Sequence, residues 1–302
     1  MIHSTTPTGD CDGIAATNSP AAAAFQREVD ATPASAFQPF RFAGADMDEA
    51  LRLAAYGAAP ALRRYDEAFD SVVADVHAAE VPEGSPPAVW FLYNMGVVVK
   101  TPRAVFGIDV AHRKGALLAP LLDFALVTHN HDDHVDAAFL EAMDGEGKTV
   151  VSNFFDNYGA FRGGRMPGGY TRGGKAFELG DAAVLATSSD HNGYLVDFTL
   201  AFEIRIGDWT LYHTGDSANL GKLRPARTPD LWFVHPRCGI DPVAAALVFQ
   251  PRRTILGHFC ELGHAEWRWT IADAGEDAER LRDAGFRATI PLWGKRLQQV
   301  PT

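Results

Sequence analysis

Two rhythms of apolar and polar positions run along this 302-residue chain, and the change from one to the other falls near residue 87. Between residues 46 and 80 the apolar positions recur at helical spacing: Met47, Leu51, Leu53 and Ala54, then Leu62, Tyr65, Phe69, Val72, Val73 and Val76. Residues three and four apart share one helix face, so this spacing predicts two amphipathic helices, separated by Gly57 and Pro60. Upstream, residues 1–40 are rich in Ala, Thr, Ser and Pro and read as an extended or poorly ordered arm. Pro82, Pro86 and Pro87 mark the entry to a second region, which divides the chain into 1–86 and 87–302.

Past that point the apolar residues gather in short runs. Ala88–Tyr93, Val97–Lys100 and Ala104–Ile108 read as strands, while Asp136–Met143, Pro242–Phe249 and Asp273–Ala284 read as helices. Strands and helices interleave without a parallel βαβ rhythm, and no Gly-x-Gly-x-x-Gly follows a strand. Two packed sheets flanked by helices fit this α/β pattern better than a doubly wound sheet.

Several of the apolar runs end in metal-type side chains. Leu126-Val127-Thr128 leads into His129-Asn130-His131-Asp132-Asp133-His134. Imidazole nitrogen and carboxylate oxygen suit zinc, and also manganese or iron. His129 and His131 are two apart and point to one side of extended backbone, whereas the adjacent Asp133 and His134 diverge. One short loop can therefore serve two ions, but four ligands cannot fill two shells. Further ligands are required downstream, and three further apolar runs supply them. Ala183–Thr187 leads to His191, Trp209–Tyr212 leads to Asp216, and Arg253–Gly257 leads to His258.

With these motifs the chain resembles the metallo-β-lactamase superfamily over roughly residues 88–290, and within it the branch of ascorbate-phosphate lactonase-like hydrolases. The resemblance implies a four-layer αββα sandwich behind an N-terminal helical extension. It implies one divalent cation held by His129, His131 and His191 and a second held by Asp133, His134 and His258, with Asp216 bridging them. Two zinc ions are the expected cofactors, with manganese or iron as alternatives, and Asp109 supports the site from behind. The implied activity is hydrolysis of a small-molecule ester, lactone or phosphoester, with Asp133 and Asp216 ordering the ions. His235, His264 and Tyr212 are the candidates for positioning or protonating the leaving group. An iron-dependent redox enzyme on the same fold and a non-catalytic metal-binding scaffold are the competing readings.

The other histidines read differently. Strand alternation puts His213 away from Asp216, which predicts a packed, hydrogen-bonded side chain. Composition then narrows the partners. A formal net charge of −11 argues against a nucleic-acid binder driven by phosphate attraction. The three cysteines form no even disulfide framework, and Cys260 reads as a buried free thiol. Neither a basic leader nor an 18-residue apolar run is present, so the expectation is a cytoplasmic protein with no membrane partner. The loop Phe161–Lys175 carries Arg162, Arg165, Arg172 and Lys175 among six glycines, a composition able to hold an anionic small-molecule substrate. The amphipathic helices over 46–80 leave a homo-oligomer open.

Overall fold

The computed structural model describes residues 20–32, 49–153, 174–192, 195–262 and 269–297. A six-stranded sheet contains Ala88–Phe91 (β1), Val97–Lys100 (β2), Val105–Ile108 (β3), Phe124–Leu126 (β4) and Thr149–Val151 (β5), in that order, with a late C-terminal strand at the β1 edge. A seven-stranded sheet runs from Lys175–Leu179 (β6) through Ala182–His191 (β7), Leu195–Ile206 (β8), Trp209–His213 (β9), Leu231–Val234 (β10) and Thr254–Leu256 (β11) to Ala288–Thr289 (β12). Arg296–Leu297 (β13) is the late strand, which pairs with β1.

The inner strands β1, β4, β9, β10 and β11 are buried along their whole length. Covered on both faces, they read as continuous apolar runs rather than as alternations. At the rim, β6 alternates half-buried with exposed positions, as expected of a strand wet on one face.

Strand direction decides where the chemistry sits. β3, β4 and β5 are mutually parallel in one sheet, and β9, β10, β11 and β12 in the other. The register of Leu231 with Leu211 and of Phe233 with Ile255 brings the carboxyl ends of β9, β10 and β11 to one level. Loops leaving the carboxyl ends of parallel strands are where α/β sheets bind ligands. The two sheets also meet there, since Leu200 N of β8 donates to Thr128 O just beyond β4 at 2.8 Å.

The helices follow the expected positions closely. Glu49–Ala58 (α2) and Pro60–Ala78 (α3) are separated at Ala59, with Pro60 opening the second helix; Gly57 lies inside the first and does not break it. Ala137–Gly145 (α4) is capped by Asp136, whose Oδ1 accepts from Ala138 N at 2.8 Å. Pro242–Phe249 (α5) is capped by Asp241, and Ile271–Asp283 (α6) opens on a reciprocal Thr270–Asp273 capping box. The N-terminal arm departs from expectation over eleven residues. Pro20–Asp30 (α1) is a helix burying Ala22, Phe25 and Val29, and Phe25 meets Trp293 edge-on at 4.6 Å. Alanine content lowers apparent hydrophobic patterning but is the best helix former. Among the described residues no helix is long and apolar enough to cross a membrane.

α3 is locked to the segment that follows β3. The His112 ring stacks between Tyr65 at 3.8 Å and Phe69 at 4.0 Å, and its Nε2 lies 3.2 Å from Tyr65 O. Arg113 pairs with Asp66, which also accepts from Tyr56 Oη, and Lys114 pairs with Asp70. Burial, reinforced by the Lys114 ammonium, holds His112 well below its ordinary value of 6.5. Below that pH the unfolded chain takes up a proton that the folded chain refuses, so stability falls as the solution is acidified. The expected size is up to about 1.4 kcal/mol per pH unit. Unfolding free energies of wild type and His112→Phe, measured in urea, should therefore converge by about 1 kcal/mol between about pH 6.5 and about pH 5.5. A gap that stays constant would show that His112 is protonated in the fold.

Candidate metal centre

Asp109 organises the site from the end of β3. Its backbone is left-handed, at φ 48°. Oδ1 accepts from Thr128 N at 2.7 Å, and Oδ2 accepts from Thr128 Oγ1 and His134 Nδ1, each at 2.8 Å. Thr128 gives its hydroxyl proton to Asp109, so its oxygen can accept from His129 Nδ1 at 3.0 Å. One buried carboxylate thus fixes the orientation of two imidazoles and leaves the Nε2 of each facing inward, the usual arrangement behind ligating histidines.

The inward atoms form two groups. His129, His131 and His191 each offer a nitrogen within 4.8 Å of the others, with Phe198 packed against all three rings at 5.2–5.8 Å. Asp133, His134, Asp216 and His258 form the second group within the same limit. Asp216 lies between them, with Oδ2 3.5 Å from His191 Nε2 and Oδ1 3.3 Å from His134 Nε2. His258 Nε2 is 2.8 Å from Asp133 Oδ2 and 3.4 Å from Asp216 Oδ2. The seven residues come from four separate stretches of chain.

The electrostatics follow from burial of both signs together. Burial alone would raise the Asp216 carboxyl, but His134, His258 and His235 hold it well below the ordinary range. Asp133 is likewise lowered by His134 and His258 against its burial. Burial opposes the charged form of His258 too, yet Asp216 and Asp133 push it up to about 9, and Asp216, Asp133 and Asp109 raise His134. At His129 burial and the His134 charge outweigh the opposing pull of Asp216 and keep it well below its ordinary value.

This donor set fits divalent cations. His134 Nε2, Asp216 Oδ1 and His191 Nδ1 are buried without a hydrogen-bond partner, which a folded protein tolerates mainly where something else satisfies the group. The backbone is strained at the same place, with His258 at φ 63° and Asn94 at φ 53°. Gly215 shows how tightly the Asp216 loop is held. At φ 50°, a Cβ there would lie 2.8 Å from the Thr128 side chain. Gly215→Ala is expected to cost about 1–3 kcal/mol and to weaken metal uptake by disturbing Thr128. Urea unfolding and elemental analysis would check both, and an unchanged midpoint would contradict it.

No protein-family model matches the sequence, and no curated protein matches it. Solved structures do match. A metallo hydrolase, Igni18, from Ignicoccus hospitalis is 18% identical over 72% of this chain and 99% of that chain, with a TM-score of 0.54. The chain has the metallo-β-lactamase fold. Isothiocyanate hydrolase from Delia radicum gut bacteria shares this fold at 15% identity over 70% of this chain and 99% of that one, TM-score 0.50. CmlA, a diiron β-hydroxylase from Streptomyces venezuelae, does so at 14% identity over 72% and 55%, TM-score 0.54.

On that fold the structure sorts the remaining candidates. His235 stands in the site, its ring stacked on His258 at 3.9 Å and its Nδ1 3.3 Å from Asp216 Oδ1. Burial and the neighbouring His258 push it down to about 4. Tyr212 does not belong there. It lies on the helix side of β9, edge-on to Phe249 at 5.4 Å, because alternation points its neighbour His213 inward, 2.8 Å from Met95 O. His213 is thus the packed residue its strand position implied. Cys260 is buried, with Sγ 3.4 Å from Gln26 Oε1. His264, Arg162, Arg165 and Arg172 lie outside the described residues; Lys175 opens β6, with Nζ 5.3 Å from the Phe177 ring centre.

Two parts of the site are not apparent from the sequence. Asn94, in the turn between β1 and β2, points Nδ2 at Asp133 Oδ2 at 3.3 Å, while its carbonyl accepts from His258 N at 2.8 Å. Its only sequence signal is an Asn two residues before a Gly between apolar runs, which reads as an ordinary turn. Asp190 accepts from Asn219 Nδ2 at 2.8 Å and from Lys222 Nζ at 2.5 Å, and these partners lower it to about 2. That network ties the His191 end of β7 to the loop after Asp216.

Proposed function

We propose that this chain is a metal-dependent hydrolase that cleaves a small-molecule ester, lactone or phosphoester with two divalent cations, zinc foremost. The observation that carries the reading is the convergence of His129, His131, Asp133, His134, His191, Asp216 and His258 into two adjacent ligand groups that share Asp216 as neighbour. His129, His131 and His191 would hold one cation; Asp133, His134 and His258 would hold the other, with Asp216 reaching both. Such a pair supplies a water acidified toward neutral pH and a Lewis acid for the oxygen that gains charge.

The protein's own residues do the rest. Asp109 and Thr128 fix two imidazole tautomers, which keeps the Nε2 of His129 and of His134 turned toward the centre. Asn94 steadies Asp133 and His258 together, across the two sheets. Phe198 walls the three-histidine side with an apolar ring, and His235 and His264 are the side chains assigned to the leaving group. The resemblance to the lactonase-like branch and the cationic stretch ending in Lys175 favour an anionic lactone or phosphodiester within this class.

The reading is tested with protein purified without chelator, by elemental analysis and a chromogenic panel of a lactone, a phosphodiester and a thioester. About two transition-metal ions per chain and chelator-sensitive turnover of one panel member are expected. Absence of bound metal, with no hydrolysis on adding zinc, manganese or iron, would overturn it. Bound iron with no hydrolysis across the panel would favour redox chemistry, as practised by the diiron hydroxylase of the same fold.

A further inference from the structure

Cys238 stands outside the seven-residue set, yet it faces the same centre. Its Sγ, one nitrogen of His191 and one carboxylate oxygen of Asp216 all lie within 4.8 Å of one another. The cysteine is a free thiol and half-buried. It ends the short turn Pro236–Cys238 that leaves β10 after His235, and its thiol donates to the Asp216 main-chain oxygen at 2.9 Å. The next residue, Gly239, has φ 127°, and a Cβ there would meet Ala218 at 3.2 Å. The turn carrying Cys238 is therefore packed closely against the Asp216 loop. Asp216 independently points to a ligand, since its side chain is only 5% exposed while Oδ1 has no hydrogen-bond partner.

We infer that Cys238 is a metal ligand, which joins His191 and Asp216 on one cation and gives the centre a sulfur donor beside its nitrogens and oxygens. This rests on the metal reading above. Ligation forms one metal–sulfur bond and sends the thiol proton to solvent, with no change of oxidation state. A thiolate is a soft donor, so it biases the site toward zinc, cobalt(II) or cadmium and against manganese or magnesium. Cys238 thus selects which cation the hydrolase carries.

Cobalt(II) loading tests this, because thiolate ligation produces a near-ultraviolet charge-transfer band that nitrogen and oxygen ligands do not. The full chain, Cys238→Ser and Cys260→Ser are loaded in parallel, with cobalt per chain measured by elemental analysis. The band is expected in wild type and Cys260→Ser and not in Cys238→Ser, whose preference for zinc over manganese should fall about tenfold. Cobalt bound at full stoichiometry without the band in wild type, or with the band intact in Cys238→Ser, overturns the Cys238 assignment and leaves the metal reading standing. No cobalt bound in any of the three overturns the metal reading and this inference with it. Should Cys238→Ser not fold, iodoacetamide on wild type decides instead: zinc should protect Cys238 from alkylation at least about tenfold, and equal labelling with and without zinc overturns the assignment.

Discussion

Replacing Asp216 with alanine is expected to abolish most of the hydrolytic activity, by on the order of 10³-fold, and to leave at most one cation bound per chain. The size of the effect reflects its position. Its two oxygens lie 3.3–3.5 Å from His134, His191 and His258, so it stands within reach of both ligand groups. On the proposed two-cation reading, removing it would strip a ligand from each group at once, whereas removing His131 would affect one. The metal-free fold should also suffer, because Asp216 is the leading counter-charge that keeps His134 and His258 cationic in a buried place. Asp216→Asn keeps the shape and loses the charge, so it should match alanine in metal binding while unfolding later. Elemental analysis, turnover on the panel substrate and urea unfolding of the two variants separate these effects. Full metal content with undiminished turnover in Asp216→Ala would remove Asp216 from the centre.

Much of the candidate ligand set was legible because His129, His131, Asp133, His134, Asp216 and His258 lie a few residues past the buried strands β4, β9 and β11, whereas His191 ends β7 itself, a half-buried antiparallel strand. Strands covered on both faces show as unbroken apolar runs, and their parallel arrangement sends every run out at the same edge. The residues just past each run therefore land in one place, even when β4 and β11 lie more than a hundred residues apart in sequence. Alternation could not be carried from His213 to Asp216, because Gly215 at φ 50° takes the chain out of the strand before the aspartate is reached. Asn94 and Cys238 were hidden for a different reason. Each sits in a turn whose local sequence is satisfied by ordinary turn formation, and only the packing of one loop on another gives it a second role. The helix Pro20–Asp30 was hidden by composition, although Ala22, Phe25 and Val29 stand at helical spacing.

The attachment of α3 was also illegible, and it yields the second large effect. Asp66→Ala is expected to destabilise the protein by about 3–5 kcal/mol, because it strands the Arg113 guanidinium in the interior. Both side chains are almost fully buried, at 2% and 3% exposure, so water cannot replace the lost partner. Arg113 Nε donates to Asp66 Oδ1 at 2.9 Å and Nη2 to the other oxygen, a two-pronged pair that no lysine reproduces. In sequence Asp66 is one acid at the border of the apolar face, at helical spacing from Leu62 and Phe69, where a charge can as well be solvated as buried. It is buried because the 111–114 segment packs down on Tyr65 and Phe69 and brings Arg113 with it. The double variant Asp66→Leu/Arg113→Met should lose less than Asp66→Ala alone, since an apolar pair of similar volume leaves no uncompensated charge. That segment begins only two residues after Asp109, so Asp66→Ala should also loosen His134 and lower metal affinity, whereas the double variant should restore part of it. Urea denaturation and zinc titration of the two proteins measure both consequences. Equal stabilities for Asp66→Ala and the double variant would mean that the guanidinium finds another partner, and that α3 holds the metal loop by its aromatic contacts alone.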